Sequence, residues 1–312
     1  ALNVYFVGAI TEEPDDEVIV LKDEKDKPQA IVCAVPYLRD KDIRTVGAGE
    51  TLEDKNAKLV HGLKHHYETV CGIAENRKSE LDNNGDLSLP IIAMGHLFTA
   101  GGKTVDGDGV RELYVGSLAH IGKELFPSSI DYLALGHLHV AQTVGGAEHI
   151  RYCGSPIPMG YGEAKQQKKV IVVDFEKTNP SITEIPVPRF QPLERVVGTL
   201  DEIHLRIEQL KREESSVWLE IEYTGADVTS NLREIMDEAI EGTSMEIRRI
   251  KNRQVLERVF NAIQDEETLD DLNVNDVFER CIESFDIPVE SRAELIDSYN
   301  EIIQSLHEED VN

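Results

Sequence analysis

Three histidines carry most of the chemistry this sequence offers. His137 and His139 sit in Leu135-Gly136-His137-Leu138-His139, directly after the apolar run Tyr132–Leu135, and His96 follows the run Ile91–Met94 and Gly95. A neutral imidazole is a good nitrogen donor to a divalent metal. Side chains two residues apart project to one side of an extended chain, so His137 and His139 can converge on one cluster. A glycine before each histidine lets the chain turn at the carboxyl edge of a sheet, where α/β folds place their ligands. A lone histidine is ordinarily structural, whereas two strand–glycine–histidine junctions in one region point to a metal centre. Three imidazoles without a carboxylate suit zinc as readily as a mixed manganese or iron site, so spacing alone leaves the metal open. A two-metal phosphoesterase also needs a bridging aspartate and further Asp, His and Asn ligands that hold the ions about 3.5–4 Å apart.

Other motifs fail on inspection. Gly102-Lys103-Thr104 resembles the end of a P-loop, but the required first glycine falls on Leu97. The stretches from Asp82 and from Asp106 imitate calcium loops yet carry Ala93 and Ser117 where the twelfth-position glutamate belongs. His61, His65 and His66 lie on a helical pattern and read as its exposed face, while His120, His149, His204 and His307 have no partner pattern. The cysteines Cys33, Cys71, Cys153 and Cys281 form no C-x-x-C pair and read as buried free thiols.

The elements that must position the histidines follow from periodicity. Val18–Leu21 and Ile31–Val35, separated by the charged turn Lys22–Pro28, predict a hairpin. Leu52, Leu59, Leu63, Tyr67 and Val70 recur at helical spacing, predicting an amphipathic helix from Thr51 to about Cys71, followed by a surface loop over Glu75–Ser88. Ile91–Met94, Tyr132–Leu135, Ile150–Cys153 and Val170–Phe175 are short apolar runs of the kind found in strands covered on both faces. Ile185-Pro186-Val187-Pro188 reads as a linker, because its two prolines suit neither a helix interior nor a central strand. Beyond it the order is strand 195–200, helix 201–212 with Asp201 as N-cap, strand 217–223, helix 228–241 and strand 245–250. Val274, Val277, Phe278, Cys281, Ile282 and Phe285 make one apolar stripe, and Leu295, Ile296, Tyr299, Ile302, Ile303 and Leu306 make another, so the last sixty residues read as helical.

The fold expected is therefore α/β: residues 1–187 form a layered domain, 188–254 a smaller βαβαβ unit and 255–312 a helical region that either caps the core or meets a partner. The net charge of −27 argues against a broad basic surface that neutralises phosphates, but not against a metal-centred phosphodiesterase. Basic and acidic residues number 21 and 29 up to position 200, then 11 and 30 beyond it, so the excess is C-terminal and reads as a solvated face. Arg248, Arg249, Lys251, Arg253 and Arg258 are the one clear basic cluster there. No window approaches the ~18 apolar residues of a membrane span, and the first residues lack the basic start of a signal peptide, so a cytoplasmic location is expected.

Ile91–Gly101, Asp131–Gln142 and Arg151–Pro158, with Val35–Arg39 and Asn275–Arg280, resemble SbcD, the nuclease subunit within the calcineurin-like metallophosphoesterase superfamily. The resemblance runs over nearly the whole chain and implies a metallophosphoesterase sandwich with an α/β capping domain and C-terminal helices. It implies a dinuclear manganese site, with His96 and His137 on one ion and His139 on the other, and Gly154 and Ser155 beside the substrate phosphate. The implied activity is hydrolysis of DNA phosphodiesters, as a 3′–5′ double-strand exonuclease and an endonuclease at hairpins and ends. The implied partners are DNA and an SbcC-like SMC-type ATPase docked on the terminal helices, with a homodimer of the nuclease subunit as one option. Nothing here matches the family's D-x-H, G-D-x-x-D or G-N-H-D motifs, so the catalytic residues are not assigned. The sandwich is expected to be N-terminally incomplete, with the missing ligands upstream of Ala1, and this chain alone is expected to be inactive. A non-catalytic module that docks on the ATPase and a phosphodiesterase of small substrates are the competing readings.

Overall fold

The computed structural model describes residues 4–45, 50–82, 88–99, 122–225 and 231–252, together with 278, 282, 292, 295, 296 and 299. The chain divides into two units, Ala1–Pro192 and Leu193–Asn312.

In the first unit, Val18–Lys22 (β1) and Pro28–Ala34 (β2) pair antiparallel across a turn that Asp23 closes by accepting the Lys25 and Lys27 N–H groups, each at 2.9 Å. A single turn, Asp40–Ile43 (α1), precedes the long helix Leu52–Leu81 (α2). Thr51 caps α2 through a reciprocal pair: its hydroxyl accepts the Asp54 N–H at 3.1 Å, and the Asp54 carboxylate accepts the Thr51 N–H at 3.1 Å. The helix lays Leu59, Leu63, Tyr67, Val70, Cys71 and Ala74 on Ile31, Cys33, Ile91, Ala93 and Leu133 of the sheet. The remaining strands are Ile91–His96 (β3), Tyr132–Gly136 (β4), Gln142–Val144 (β5), Ala147–Tyr152 (β6), Lys169–Glu176 (β7) and Asn179–Pro186 (β8). Six of them make one sheet in the order β1-β2-β3-β4-β6-β5, parallel from β2 through β6, with antiparallel strands at both edges; β7 and β8 form a separate hairpin.

Three expectations are corrected in this unit. The loop expected over 75–88 begins later, because α2 runs to Leu81: Ala74 is buried, and the Arg77 guanidinium donates to the Val18 carbonyl and pairs with Asp15. The linker expected at 185–188 is partly strand, with Ile185 and Pro186 closing β8; the hairpin is two-stranded, so a proline on it blocks no central ladder. His66 is not exposed. It is buried and its Nε2 lies 2.8 Å from Glu17 Oε2, in a helical turn before β1, where the carboxylate is fully buried.

The second unit is built from Leu193–Gly198 (β9), Leu200–Arg212 (α3), Trp218–Tyr223 (β10), Leu232–Ala239 (α4) and Glu246–Asn252 (β11). Its sheet has the order β11-β10-β9 and is parallel throughout. Ile203, Ile207, Leu219, Ile221 and Met236 are its fully buried core. Glu220, almost fully buried, takes Arg195, Arg249 and Lys251 around one carboxylate, so part of the basic cluster read from sequence is spent inside the unit. The cap of α3 is Thr199, not Asp201, because Thr199 and Glu202 form the reciprocal pair. Of the C-terminal stripes, Phe278, Ile282, Leu295, Ile296 and Tyr299 are helical; the Phe278 and Tyr299 rings stack at 3.8 Å and Ile282 is buried. The rest of both stripes lies outside the described residues, as do Gly102–Thr104, the Asp106 stretch, His120, His307, Cys281, Arg253 and Arg258. No described helix is long and apolar enough to cross a membrane.

The Glu17–His66 pair yields a stability prediction. Removing the imidazole leaves the buried Glu17 carboxyl without its hydrogen-bond partner, and its other oxygen already has none. His66→Ala is expected to lower the unfolding free energy of the first unit by about 1–3 kcal/mol, read as a lower urea midpoint; a loss below about 0.5 kcal/mol, the scale of an ordinary surface substitution, contradicts it.

Candidate functional site

The pairing of β3 with β4 sets the site. Gly95 lies opposite Leu135 and His96 opposite Gly136, so the chain leaves both strands at the same level and on the same edge. The glycines serve close approach, which corrects their expected role in turning the chain. A Cβ at Gly95 would collide with the Tyr67 hydroxyl, which donates to the Met94 carbonyl at 3.2 Å, and a Cβ at Gly136 would come within 3.0 Å of His96 Nδ1. The turn is made by His137 itself, at φ 103°. That backbone region is rare for any residue but glycine and is strained. Because the backbone is no longer extended there, alternation does not decide where His137 and His139 point.

His137 Nδ1 lies 3.4 Å from His96 Nε2, with ring centroids 5.2 Å apart and planes at 76°. Tyr37 meets His96 edge-on at 5.8 Å and Phe98 meets His137 at 6.4 Å. Behind the pair a narrow, mainly apolar cleft is lined by Leu38, Ile43, Leu59, Leu63 and Tyr67, with Asp40 as its one carboxylate. Desolvation, with a smaller contribution from nearby His139, holds the His96 imidazole below its ordinary range and so favours the neutral ring.

His139 is oriented from another direction. Its Nδ1 lies 2.9 Å from Glu163 Oε1, and Glu163 is fully buried. The other carboxylate oxygen accepts from the Ser155 hydroxyl at 3.1 Å and the Met159 N–H at 3.3 Å, and it pairs with the Lys168 ammonium. Lys168 also donates to the His139 carbonyl at 3.1 Å and to Ser155 Oγ at 2.9 Å. The Ser155 N–H donates to the same carbonyl at 3.2 Å. Gly154, at φ 78°, makes this approach feasible, since a Cβ there would lie 2.7 Å from the His139 oxygen and 2.8 Å from Ala141 N.

The spacing of the nitrogens bears on whether they suit a metal. Two nitrogens on one tetrahedral ion with bonds of 2.0–2.1 Å lie about 3.3 Å apart, which the His96–His137 separation of 3.4 Å matches. Among the described residues no three His, Cys, Asp or Glu side chains come together as a complete metal cluster. The His96–His137 spacing thus fits two ligands of one ion, and among the described residues His139 does not join them in one cluster. Glu163 and Lys168 escaped the sequence reading; the only signal was a carboxylate and a lysine five residues apart in the turn-rich stretch after Gly154-Ser155-Pro156.

The family described as type 5 capsule protein repressor C-terminal domain, SbcD_C, matches residues 189–284. The SbcD subunit of nuclease SbcCD from Escherichia coli (strain K12) is 36% identical over 261 residues, covering 81% of this chain and 62% of the relative. In sequence the chain is similar to SbcD-type nuclease subunits over most of its length. Relatives of the same name in Rhodobacter capsulatus and Bacillus subtilis are each 30% identical, over 202 and 143 residues, which cover 62% and 45% of this chain and 46% and 36% of theirs. The chain therefore spans less than two thirds of the length of these SbcD relatives. The mixed α/β architecture with its parallel-rich sheet is the fold class expected from the SbcD resemblance.

Two outcomes follow from this geometry. The His96 resonances are expected to titrate below the ordinary imidazole midpoint of about 6.5. The depressed folded-state value means that the unfolded chain binds the proton more readily, so this group erodes stability as pH falls below that midpoint and contributes nothing above it; an NMR titration with a midpoint at or above 6.5 contradicts this. Gly154→Ala is expected to cost more than about 1 kcal/mol, since it combines a positive φ with two backbone clashes. A thermal melt of the first unit unchanged by that substitution would show that the turn can relax.

Proposed function

We propose that this chain is the nuclease part of an SbcCD-like complex and hydrolyses DNA phosphodiester bonds, as a 3′–5′ double-strand exonuclease and as an endonuclease at hairpins and ends. The observation that carries the reading is the convergence of His96 and His137 at the carboxyl edge of parallel strands, in a chain 36% identical to a protein named as a nuclease subunit. His96 and His137 would hold one divalent ion and His139 the other, with Mn²⁺ the expected metal. Such ions supply Lewis-acid polarisation of the phosphoryl oxygen and an activated water.

The chain's own residues have distinct tasks in this reading. The surroundings of His96 favour its neutral ring, which leaves one nitrogen lone pair available for ligation. Gly154 and Ser155 bring backbone close to the His139 carbonyl and so form the near wall of a phosphate site. The net charge of −27 leaves phosphate recognition to the metal centre and not to a broad basic surface. The partners proposed are DNA, an SbcC-like ATPase docked through residues 255–312, and a second copy of the nuclease chain.

The test uses the intact nuclease chain together with its ATPase partner on end-labelled hairpin DNA with Mn²⁺. Cleavage is expected, and His137→Ala is expected to reduce it by more than about 100-fold, beyond the usual effect of an outer-shell change. Full activity in that variant would overturn the assignment, and faster turnover of a small aryl phosphodiester than of hairpin DNA would favour the small-substrate alternative.

A further inference from the structure

Glu163 and Lys168 lie outside the ligand set, yet both are buried and both touch it. A carboxylate that faces the Lys168 ammonium and accepts from the Ser155 hydroxyl and the Met159 N–H is ionised and has no proton to give. The 2.9 Å contact with His139 Nδ1 must then place the hydrogen on Nδ1. A neutral imidazole protonated at Nδ1 carries its lone pair on Nε2. The carboxylate therefore chooses the histidine's tautomer as well as its rotamer, the way outer-shell carboxylates orient ligating histidines elsewhere. Lys168 extends the effect to the backbone, because it holds the His139 carbonyl and Ser155 Oγ at the same time.

We propose that Glu163, braced by Lys168, is a positioning residue that fixes His139 in the Nδ1–H form and ties it to the Gly154–Ser155 turn. The metal-binding consequence rests on the reading of His139 as a ligand; the tautomer itself does not. Sequence pattern and family resemblance assigned neither residue. The buried pair also explains why a carboxylate with no access to substrate sits within the site: it acts through His139.

The decisive measurement needs no metal and no turnover. In the uniformly ¹⁵N-labelled chain at alkaline pH, long-range ¹H–¹⁵N correlation is expected to show His139 with a pyrrole-type Nδ1 and a pyridine-type Nε2. In the paired variant Glu163→Leu/Lys168→Met, which removes both charges and leaves neither unpaired, His139 is expected to shift to the Nε2–H form that free imidazole favours. Retention of the Nδ1–H form in that folded variant overturns the proposal. Should the paired variant not fold, Glu163→Gln keeps the shape and removes the charge; the Nδ1 proton is then expected to move upfield as the hydrogen bond loses its charge assistance, and an unmoved proton overturns the proposal.

Mn²⁺ titration of the intact nuclease chain separates this idea from the functional reading. Glu163→Gln is expected to weaken binding by about 10–100-fold. Tautomer control with no metal bound to the wild-type protein would refute the metallonuclease reading and leave the positioning role standing. Metal binding without tautomer control would do the reverse.

Discussion

The register between β3 and β4 is the constraint on which the site depends. Side chains alternate across a strand, so a slip of one residue in β3 would send His96 to the opposite face, and a slip in either strand would break the pairing of His96 with Gly136. Three features lock that register. Ile91 and Ala93 are buried under α2, the Ile91 N–H is held by the Asp131 carboxylate at 2.8 Å, and the Tyr67 hydroxyl reaches the Met94 carbonyl over a residue that has no side chain. Packing thus places the histidines, and the histidines contribute little to the packing.

Electrostatics divides the site into two regimes. Around His96 and His137 the neighbours are mainly aromatic and aliphatic, with Asp40 the one carboxylate, and desolvation favours the neutral His96 ring. Around His139 the neighbours are a buried carboxylate and a buried ammonium, each satisfied by several partners. The same economy recurs elsewhere in this acidic chain, where Glu17 is covered by His66 and Glu220 by Arg195, Arg249 and Lys251. Buried carboxylates are tolerable only when paired, and the few cations available are placed where they are needed for that purpose.

Much of the fold was legible because its signals are local. The hairpin, the parallel strands, the start of α2 and the alternation of strands and helices after residue 192 all follow from apolar periodicity and turn residues. What failed to show was set by partners distant in sequence. The last turns of α2 are anchored by Arg77 on the segment 15–18, and His66 is buried because Glu17 lies 49 residues away. Strand β5 is only three residues long and pairs at an edge, too short for a pattern. At the site, the histidines were visible as residue types at strand ends, whereas Gly154-Ser155 came only from the SbcD resemblance. Glu163 was not visible, because its role comes from a folded loop and not from spacing.

The backbone of His137 has an implication for how this position can change over time. Holding a β-carbon at φ 103° costs of order 1–3 kcal/mol, and glycine would relieve most of that cost. Stability alone would therefore favour glycine over the imidazole, and under the ligand role proposed for His137 a histidine at this position trades stability for activity. Under that proposal, drift toward glycine at this one codon would be the molecular trace of a lineage in which the site had fallen out of use.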